Sequence, residues 1–107
     1  MKYAVAAKEP NVTGPVASVF GRCPWLLVFD DATGAIEVVE NTAATQSGGA
    51  GVKAAQLVLD HGVDVLVAPK VGPKAHDVLT EGGVRFVFRS SGTAEEALQS
   101  AREEMLD

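Results

Sequence analysis

The alternation of helical and strand periodicity in the second half of the chain constrains the fold more than any other feature. Residues 49–61 and the segment that begins at Pro73 have apolar side chains at helical spacing, and each is followed by a short apolar run of strand length. Parallel strands in one sheet need such helical crossovers, which are almost always right-handed. A last helix is predicted after Thr93, which has the spacing of a capping box with Glu96. We therefore expect this half to be a parallel α/β unit. The first helix is expected to bury Val52, Ala55, Val58 and Leu59.

The first 40 residues predict an antiparallel arrangement instead. Lys2–Ala7 and Trp25–Asp30 have the composition of strands, and the second of them carries apolar side chains on both faces. Residues 31–34 have a turn sequence, because Asp can bond its own backbone and Gly accepts a positive φ. Ala35–Glu40 then returns as a third strand. The predicted order is βββαβαβα, which is an α/β fold with a mixed five-stranded sheet and helices on both faces.

Length, charge and cysteine content narrow the class of protein. A chain of 107 residues and 11.1 kDa is expected to form one domain over residues 1–107. Its 14 acidic residues outnumber 9 basic ones and give a formal charge of -5, which argues against a nucleic-acid partner. The single cysteine, Cys23, cannot form an intramolecular disulfide. The chain shows no apolar run of membrane-spanning length and no charged leader, so we expect a cytoplasmic protein without a membrane partner.

The first candidate site is the loop Phe20-Gly21-Arg22-Cys23-Pro24. Glycine lets a backbone approach a ligand closely, the Arg22 guanidinium offers planar donors to oxyanions, and a Cys23 thiolate is a soft metal ligand. Phe20, Gly21 and Arg22 are therefore candidate cofactor-binding residues, and Cys23 is a candidate metal ligand. The alternative is a turn in which Cys23 is a small buried side chain.

The second candidate site is the glycine-rich start of the first helix. Free N–H groups at Gly49, Ala50 and Gly51 offer a seat for an anion. A flexible lid or a helix cap explains the same glycines equally well. A dinucleotide site is not favoured, because the acidic residue that would bind the ribose about twenty residues further on is missing.

The third candidate site is the turn before the second helix. Ligands of open α/β sheets bind beyond the carboxyl ends of the parallel strands, where Lys70, Gly72 and Lys74 are expected to lie. The two lysines would add positive charge beside a helix start. The alternative is a solvated turn with surface lysines.

Sequence motifs of classical catalysis are missing from the chain. It has no Cys-x-x-Cys, no His-x-x-x-His and no Gly-x-Ser-x-Gly. The two histidines, His61 and His76, are expected at a helix end and on an exposed helix face. We therefore expect a binding protein and not an enzyme.

Taken together, the motifs follow one order: Phe20-Gly21-Arg22-Cys23-Pro24-Trp25, Glu40-Asn41, Gly49-Ala50-Gly51 and Val71-Gly72-Pro73-Lys74-Ala75. This order resembles the dinitrogenase iron–molybdenum cofactor biosynthesis family, and the resemblance covers residues 1–88. It implies a ribonuclease H-like α/β fold whose second strand is antiparallel to the others. One position departs from the family pattern, because Val19 stands where the family often has a histidine that is a candidate cluster ligand.

The resemblance also implies a function. Family members are thought to bind anionic iron–sulfur or molybdenum–sulfur clusters, or to carry them between scaffold and target enzymes. In this chain Arg22, the glycine-rich helix start and Lys70 or Lys74 would meet the negative charge of the cluster, and Cys23 would supply a thiolate. We expect a non-enzymatic carrier of a metal–sulfur cluster, with cluster donor and acceptor proteins as partners. The alternative is a binding module for a small phosphorylated or nucleotide-like metabolite.

Overall fold

The order of strands and helices is the one predicted. The computed structural model describes residues 1–106. Its elements are β1 (Lys2–Ala7), β2 (Trp25–Asp30), β3 (Ile36–Glu40), α1 (Ala50–Asp60), β4 (Val65–Ala68), α2 (Pro73–Glu81), β5 (Arg85–Phe88) and α3 (Ala94–Met105). β1 and β2 have their predicted bounds, and β3 begins one residue later than predicted. The α/β class and the order βββαβαβα are confirmed.

The five strands form one mixed sheet in the order β3-β2-β1-β4-β5. β2 pairs antiparallel with β1 and β3, whereas β1 pairs parallel with β4, and β4 with β5. In the central strand β1, Val5 lies opposite Leu27 of β2 and Val67 of β4. Because β2 runs against the other four strands, the loop that enters β2 lies at the same sheet edge as the loops that leave β3 and β4. All three candidate sites are therefore brought to one edge.

Helices cover both faces of the sheet, as predicted. Ala4, Ala6 and Leu66 face α1 and α2, whereas Val5 and Val67 face α3. Successive side chains alternate in this way because strand residues point to opposite faces of the pleat. The four residues of β4 are each at most 1% exposed, as expected for a parallel strand covered on both sides.

The first helix differs from the prediction at one position. Its buried residues include Ala55 and Val58, which were predicted, but Val52 is 37% exposed. Ala50, Ala54 and Val58 recur every four residues and define the buried line of the helix. Val52 lies about 200° around the helix axis from Ala50, so the prediction that it faces the core is wrong. Leu59 is partly buried and packs against the core.

Small residues allow α1 and α2 to lie side by side. A Cβ atom placed on Gly51 would lie 3.7 Å from the Cβ of Ala75, so the first turns of the two helices are adjacent. Gly82, just after α2, similarly faces the side chain of Leu59 near the end of α1. The pair therefore presents two helix starts next to each other at the loop edge of the sheet. Within residues 1–106 no helix has the length and apolar character needed to cross a membrane.

Candidate functional site

The loop edge of the sheet contains a cleft of about 420 Å³. It lies between the loop that enters β2, the start of α1 and the start of α2. Residues from three loops that are distant in sequence therefore line one cleft. The residues that line the cleft are Phe20, Gly21, Gly49, Ala50, Gly51, Val52, Gly72, Pro73, Lys74 and Ala75.

Two helix starts border the cleft. α1 begins after Gly49, whose φ of 72° is left-handed, and α2 begins after Gly72 in an extended conformation. Neither start has a side-chain cap in the part of the chain that the structure describes. The first N–H groups of a helix have no acceptor within the helix, and the helix dipole places partial positive charge there. Both starts therefore favour an anion in the cleft.

A close contact between two glycines forms one wall of the cleft. A Cβ atom on Gly21 would lie 2.9 Å from the Cα of Gly51 and 3.0 Å from its nitrogen. The backbone of the Phe20–Cys23 loop therefore packs directly on the first turn of α1. Only a residue without a side chain allows this approach at Gly21.

The remaining walls combine apolar surface with one charge. Phe20 is 1% exposed and belongs to the core cluster beneath α1 and α2, whereas Val52 projects to the surface at the rim. Lys74 is the one charged residue among those that line the cleft within residues 1–106, and no carboxylate lines it there. A small anion would thus meet N–H groups, one ammonium and apolar side chains.

Arg22 was predicted to bind the anion, but the structure places its guanidinium on protein carbonyls. Its Nη1 donates to the carbonyl oxygen of Ala44 at 3.1 Å and to that of Gln46 at 2.8 Å. Both acceptors lie in the turn between β3 and α1. Arg22 does not line the cleft.

Cys23 points into the core and not into the cleft. It is 1% exposed, in agreement with the alternative of a small buried side chain. Burial raises the pKa of the Cys23 thiol to about 12, so the thiol stays protonated at neutral pH. The amide of Asn41 lies 3.8 Å from its Sγ atom. To act as a thiolate ligand, Cys23 would have to lose its proton and leave this environment.

Lys70 is exposed in the turn that follows β4 and does not line the cleft. Its neighbour in the motif, Gly72, does line the cleft, as does Lys74 two residues later. Of the two lysines that were predicted to meet an anion, the structure therefore brings Lys74 to the site. Residues 1–106 contain no group of three or more His, Cys, Asp or Glu side chains that could hold a metal ion.

Sequence reasoning missed two groups at the site. Val52, Pro73 and Ala75 line the cleft, although Val52 was assigned to the core and the other two were quoted only as motif residues. Asn41 is buried beside the cleft at 3% exposure and bonds the Phe20–Cys23 loop. Asn41 was quoted only as part of the Glu40-Asn41 motif, and the other sequence signal for it was a polar residue directly after an apolar strand.

The family model for the dinitrogenase iron–molybdenum cofactor matches residues 1–104. The chain belongs to this family. An uncharacterized protein from Methanocaldococcus jannaschii, MJ0580, is 32% identical over 78 residues, which are 70% of this chain and 65% of that protein. The chain thus spans just under two thirds of this relative.

Two solved structures have the same fold. The apo form of the orange protein from Desulfovibrio gigas superposes with a TM-score of 0.91 at 37% identity, over 96% of this chain and 88% of that one. A NifB-like protein from Thermotoga superposes with a TM-score of 0.83 at 31% identity, over 95% of this chain and 87% of that one. The mixed sheet with helices on both faces is therefore shared with these proteins.

Proposed function

We propose that this chain is a non-enzymatic carrier that binds an anionic metal–sulfur cluster, or its molybdenum- or iron-containing precursor, in the cleft between α1 and α2. The observation that carries the proposal is the convergence of two uncapped helix starts and Lys74 on one cleft that no carboxylate lines within residues 1–106. Membership of the cofactor family supplies the chemical class of the anion.

The proposed binding mode uses charge and backbone N–H groups. Each helix start favours an anion by about 0.3–1 kcal/mol at an exposed site, and by up to about 2 kcal/mol where the site is partly buried. Sulfide ligands of the cluster would accept from the N–H groups at Gly49–Gly51. Val52 would contact the less polar parts of the cluster surface, and Phe20, which is 1% exposed, would support the cleft from the core. The glycines allow the cluster to reach the backbone, because no side chain stands in front of it.

The predicted ligand role of Cys23 remains part of the proposal to be tested. The binding mode above does not depend on it, because the lining residues supply the contacts without a thiolate. Lys70 is proposed to add charge from outside the cleft. We also propose that the chain exchanges its cluster with donor and acceptor proteins and that it is cytoplasmic, as the sequence leads us to expect. The ribonuclease H-like assignment is part of the same proposal, and the strand order and the antiparallel direction of β2 support it.

Anaerobic titration of the purified protein with tetrathiomolybdate tests the function. Binding is followed by visible absorbance and by the molybdenum that remains after gel filtration. We expect wild-type protein to take up the anion and Lys74→Gln to bind it several-fold more weakly, with a smaller dependence on salt. Lys53→Gln is the matched control, because Lys53 is an exposed lysine of α1 that does not line the cleft.

The same titration separates the alternative function. Inorganic phosphate and a nucleotide are tested in parallel, since a helix start also binds phosphate. Tight binding of either one with no uptake of tetrathiomolybdate would favour the metabolite-binding alternative. Equal uptake by wild type, Lys74→Gln and Lys53→Gln would mean that the anion binds elsewhere. If Cys23→Ala folds normally but takes up no tetrathiomolybdate, Cys23 is a ligand of the bound anion.

A further inference from the structure

A buried amide joins the two segments that lead into the cleft. Asn41 is the one buried polar or charged side chain within residues 1–106. Its Nδ2 atom donates to the carbonyl oxygens of Gly21 at 3.2 Å and Cys23 at 2.8 Å, and its Oδ1 atom accepts from the N–H of Ala43 at 3.1 Å. One side chain thus satisfies groups of the Phe20–Cys23 loop and of the turn that follows β3.

Arg22 makes a second connection between the same segments, in the opposite direction. Its side chain starts in the Phe20–Cys23 loop and donates to the carbonyls of Ala44 and Gln46 in the turn. That turn has its own backbone bonds, from Ala44 N to Asn41 O and from Gln46 N to Ala43 O, both at 3.1 Å. The two segments are therefore cross-linked by Asn41 on the buried side and by Arg22 on the exposed side.

Both connections end next to atoms that form the cleft. The Gly21 peptide that Asn41 holds is the one whose α-carbon faces the Cα of Gly51. The turn that Arg22 holds runs directly into Gly49, the residue before α1. A shift of either segment would change the distance between the Gly21 wall and the N–H groups at the start of α1.

We infer that Asn41 and Arg22 are positioning residues of the anion site, which set the Gly21 wall and the start of α1 at a fixed separation without contacting the anion. Arg22 would then act on the site by holding the turn at Ala44 and Gln46, and not by direct contact with the anion. The effect of this separation on anion binding rests on the proposed function, but the cross-link between the two segments does not.

The experiment compares Arg22→Gln, Arg22→Lys and Asn41→Ser with two controls. Arg85→Gln makes the same charge change at an exposed arginine of β5. Val58→Ala lowers stability from a buried position of α1 that does not line the cleft. Two quantities are measured: amide hydrogen exchange of Ala44 and Gln46 by NMR in the absence of ligand, and the visible circular dichroism of bound tetrathiomolybdate at saturation.

We expect exchange at Ala44 and Gln46 to rise about tenfold in Arg22→Gln and Asn41→Ser, because the loss of these hydrogen bonds loosens the turn. Affinity for tetrathiomolybdate is expected to fall about tenfold, with a smaller dichroism per bound anion. Arg22→Lys keeps the charge but lacks the planar guanidinium, and should behave like Arg22→Gln. Val58→Ala should lower global stability and leave the dichroism per bound anion unchanged.

Two results would overturn the inference. Wild-type affinity and dichroism in Arg22→Lys, with loss of affinity in Arg22→Gln, would show that the charge of Arg22 contacts the anion. Unchanged exchange at Ala44 and Gln46 in both Arg22→Gln and Asn41→Ser would show that neither side chain holds the turn. Because exchange is measured without ligand, it decides whether Asn41 and Arg22 hold the turn even if wild-type protein takes up no tetrathiomolybdate. The absence of uptake would remove the proposed function and, with it, the role of the cross-link in binding.

Discussion

Replacing Gly21 with alanine adds one methyl group at the tightest point of the cleft wall. The new Cβ atom would lie 2.9 Å from the Cα of Gly51 and 3.0 Å from its nitrogen, and these are backbone atoms that cannot rotate away. Overpacking of this kind costs about 1–3 kcal/mol. Alanine in place of glycine otherwise stabilises by about 0.4–1 kcal/mol, because it restricts the unfolded chain. We therefore expect Gly21→Ala to lower the free energy of unfolding by up to about 2.6 kcal/mol, and by about 1–3 kcal/mol relative to a glycine-to-alanine change at an open position.

Urea denaturation of Gly21→Ala and Gly48→Ala measures this effect against a matched control. Gly48 lies just before the start of α1, has no positive φ and would place its Cβ more than 4 Å from any neighbour. Gly48→Ala is expected to be neutral or stabilising by up to about 1 kcal/mol. In thermal melts a loss of 1 kcal/mol corresponds to about 4–8 °C for a domain of this size. Equal stability of the two variants would refute the argument that backbone packing between Gly21 and Gly51 is tight.

Three further predictions concern single side chains. Burial raises the pKa of the Cys23 thiol from 9.0 to about 12, so the unfolded chain loses this proton at a lower pH than the folded protein does. The free energy of unfolding should therefore fall as the pH rises above about 9. Urea denaturation at rising pH should show a smaller fall in the free energy of unfolding for Cys23→Ala than for wild type. An equal pH dependence in the two proteins would contradict a raised pKa for the Cys23 thiol. Thr93→Ala removes the capping box of α3 and should cost about 1 kcal/mol in thermal melts. Hydrogen bonds with Thr93 hold the pKa of Glu96 below its usual value, so the same variant should raise that pKa. An unchanged Glu96 pKa in an NMR titration would show that those bonds do not form. Val52→Glu should weaken tetrathiomolybdate binding several-fold by placing a negative charge at the cleft rim, whereas Val52→Gln should not.

The element order was predictable because it depends on local apolar patterns. The four apolar residues of β4 form the strand that their sequence predicts, and β2 ends where the turn sequence begins. Strand-end topology predicted the place of the turn before α2, whereas the meeting of all three loops was implied by the family resemblance, and the strand order accounts for it. Family resemblance supplied the chemistry that is proposed for the cleft, which periodicity alone did not suggest.

Side-chain direction in the loops was not predictable in the same way. Arg22 and Cys23 are adjacent in a segment without periodicity, yet one bonds an exposed turn and the other is buried in the core. Their directions depend on partners far along the chain, Gln46 at a separation of 24 residues and Asn41 at 18. Val52 was misplaced for a different reason, because valine predicts burial wherever its helical position is ambiguous.

The glycine contact in the cleft wall also bears on how chains of this kind can diverge. If the anion is recognised by peptide N–H groups, the recognising atoms are present in every amino acid except proline, and only backbone shape has to be inherited. Substitutions elsewhere can then accumulate without altering what the cleft accepts, and the 37% identity to the orange protein coexists with a TM-score of 0.91. Cargo preference in such proteins would then change through the few positions that bend or block the main chain, and overall sequence similarity would be a poor measure of it.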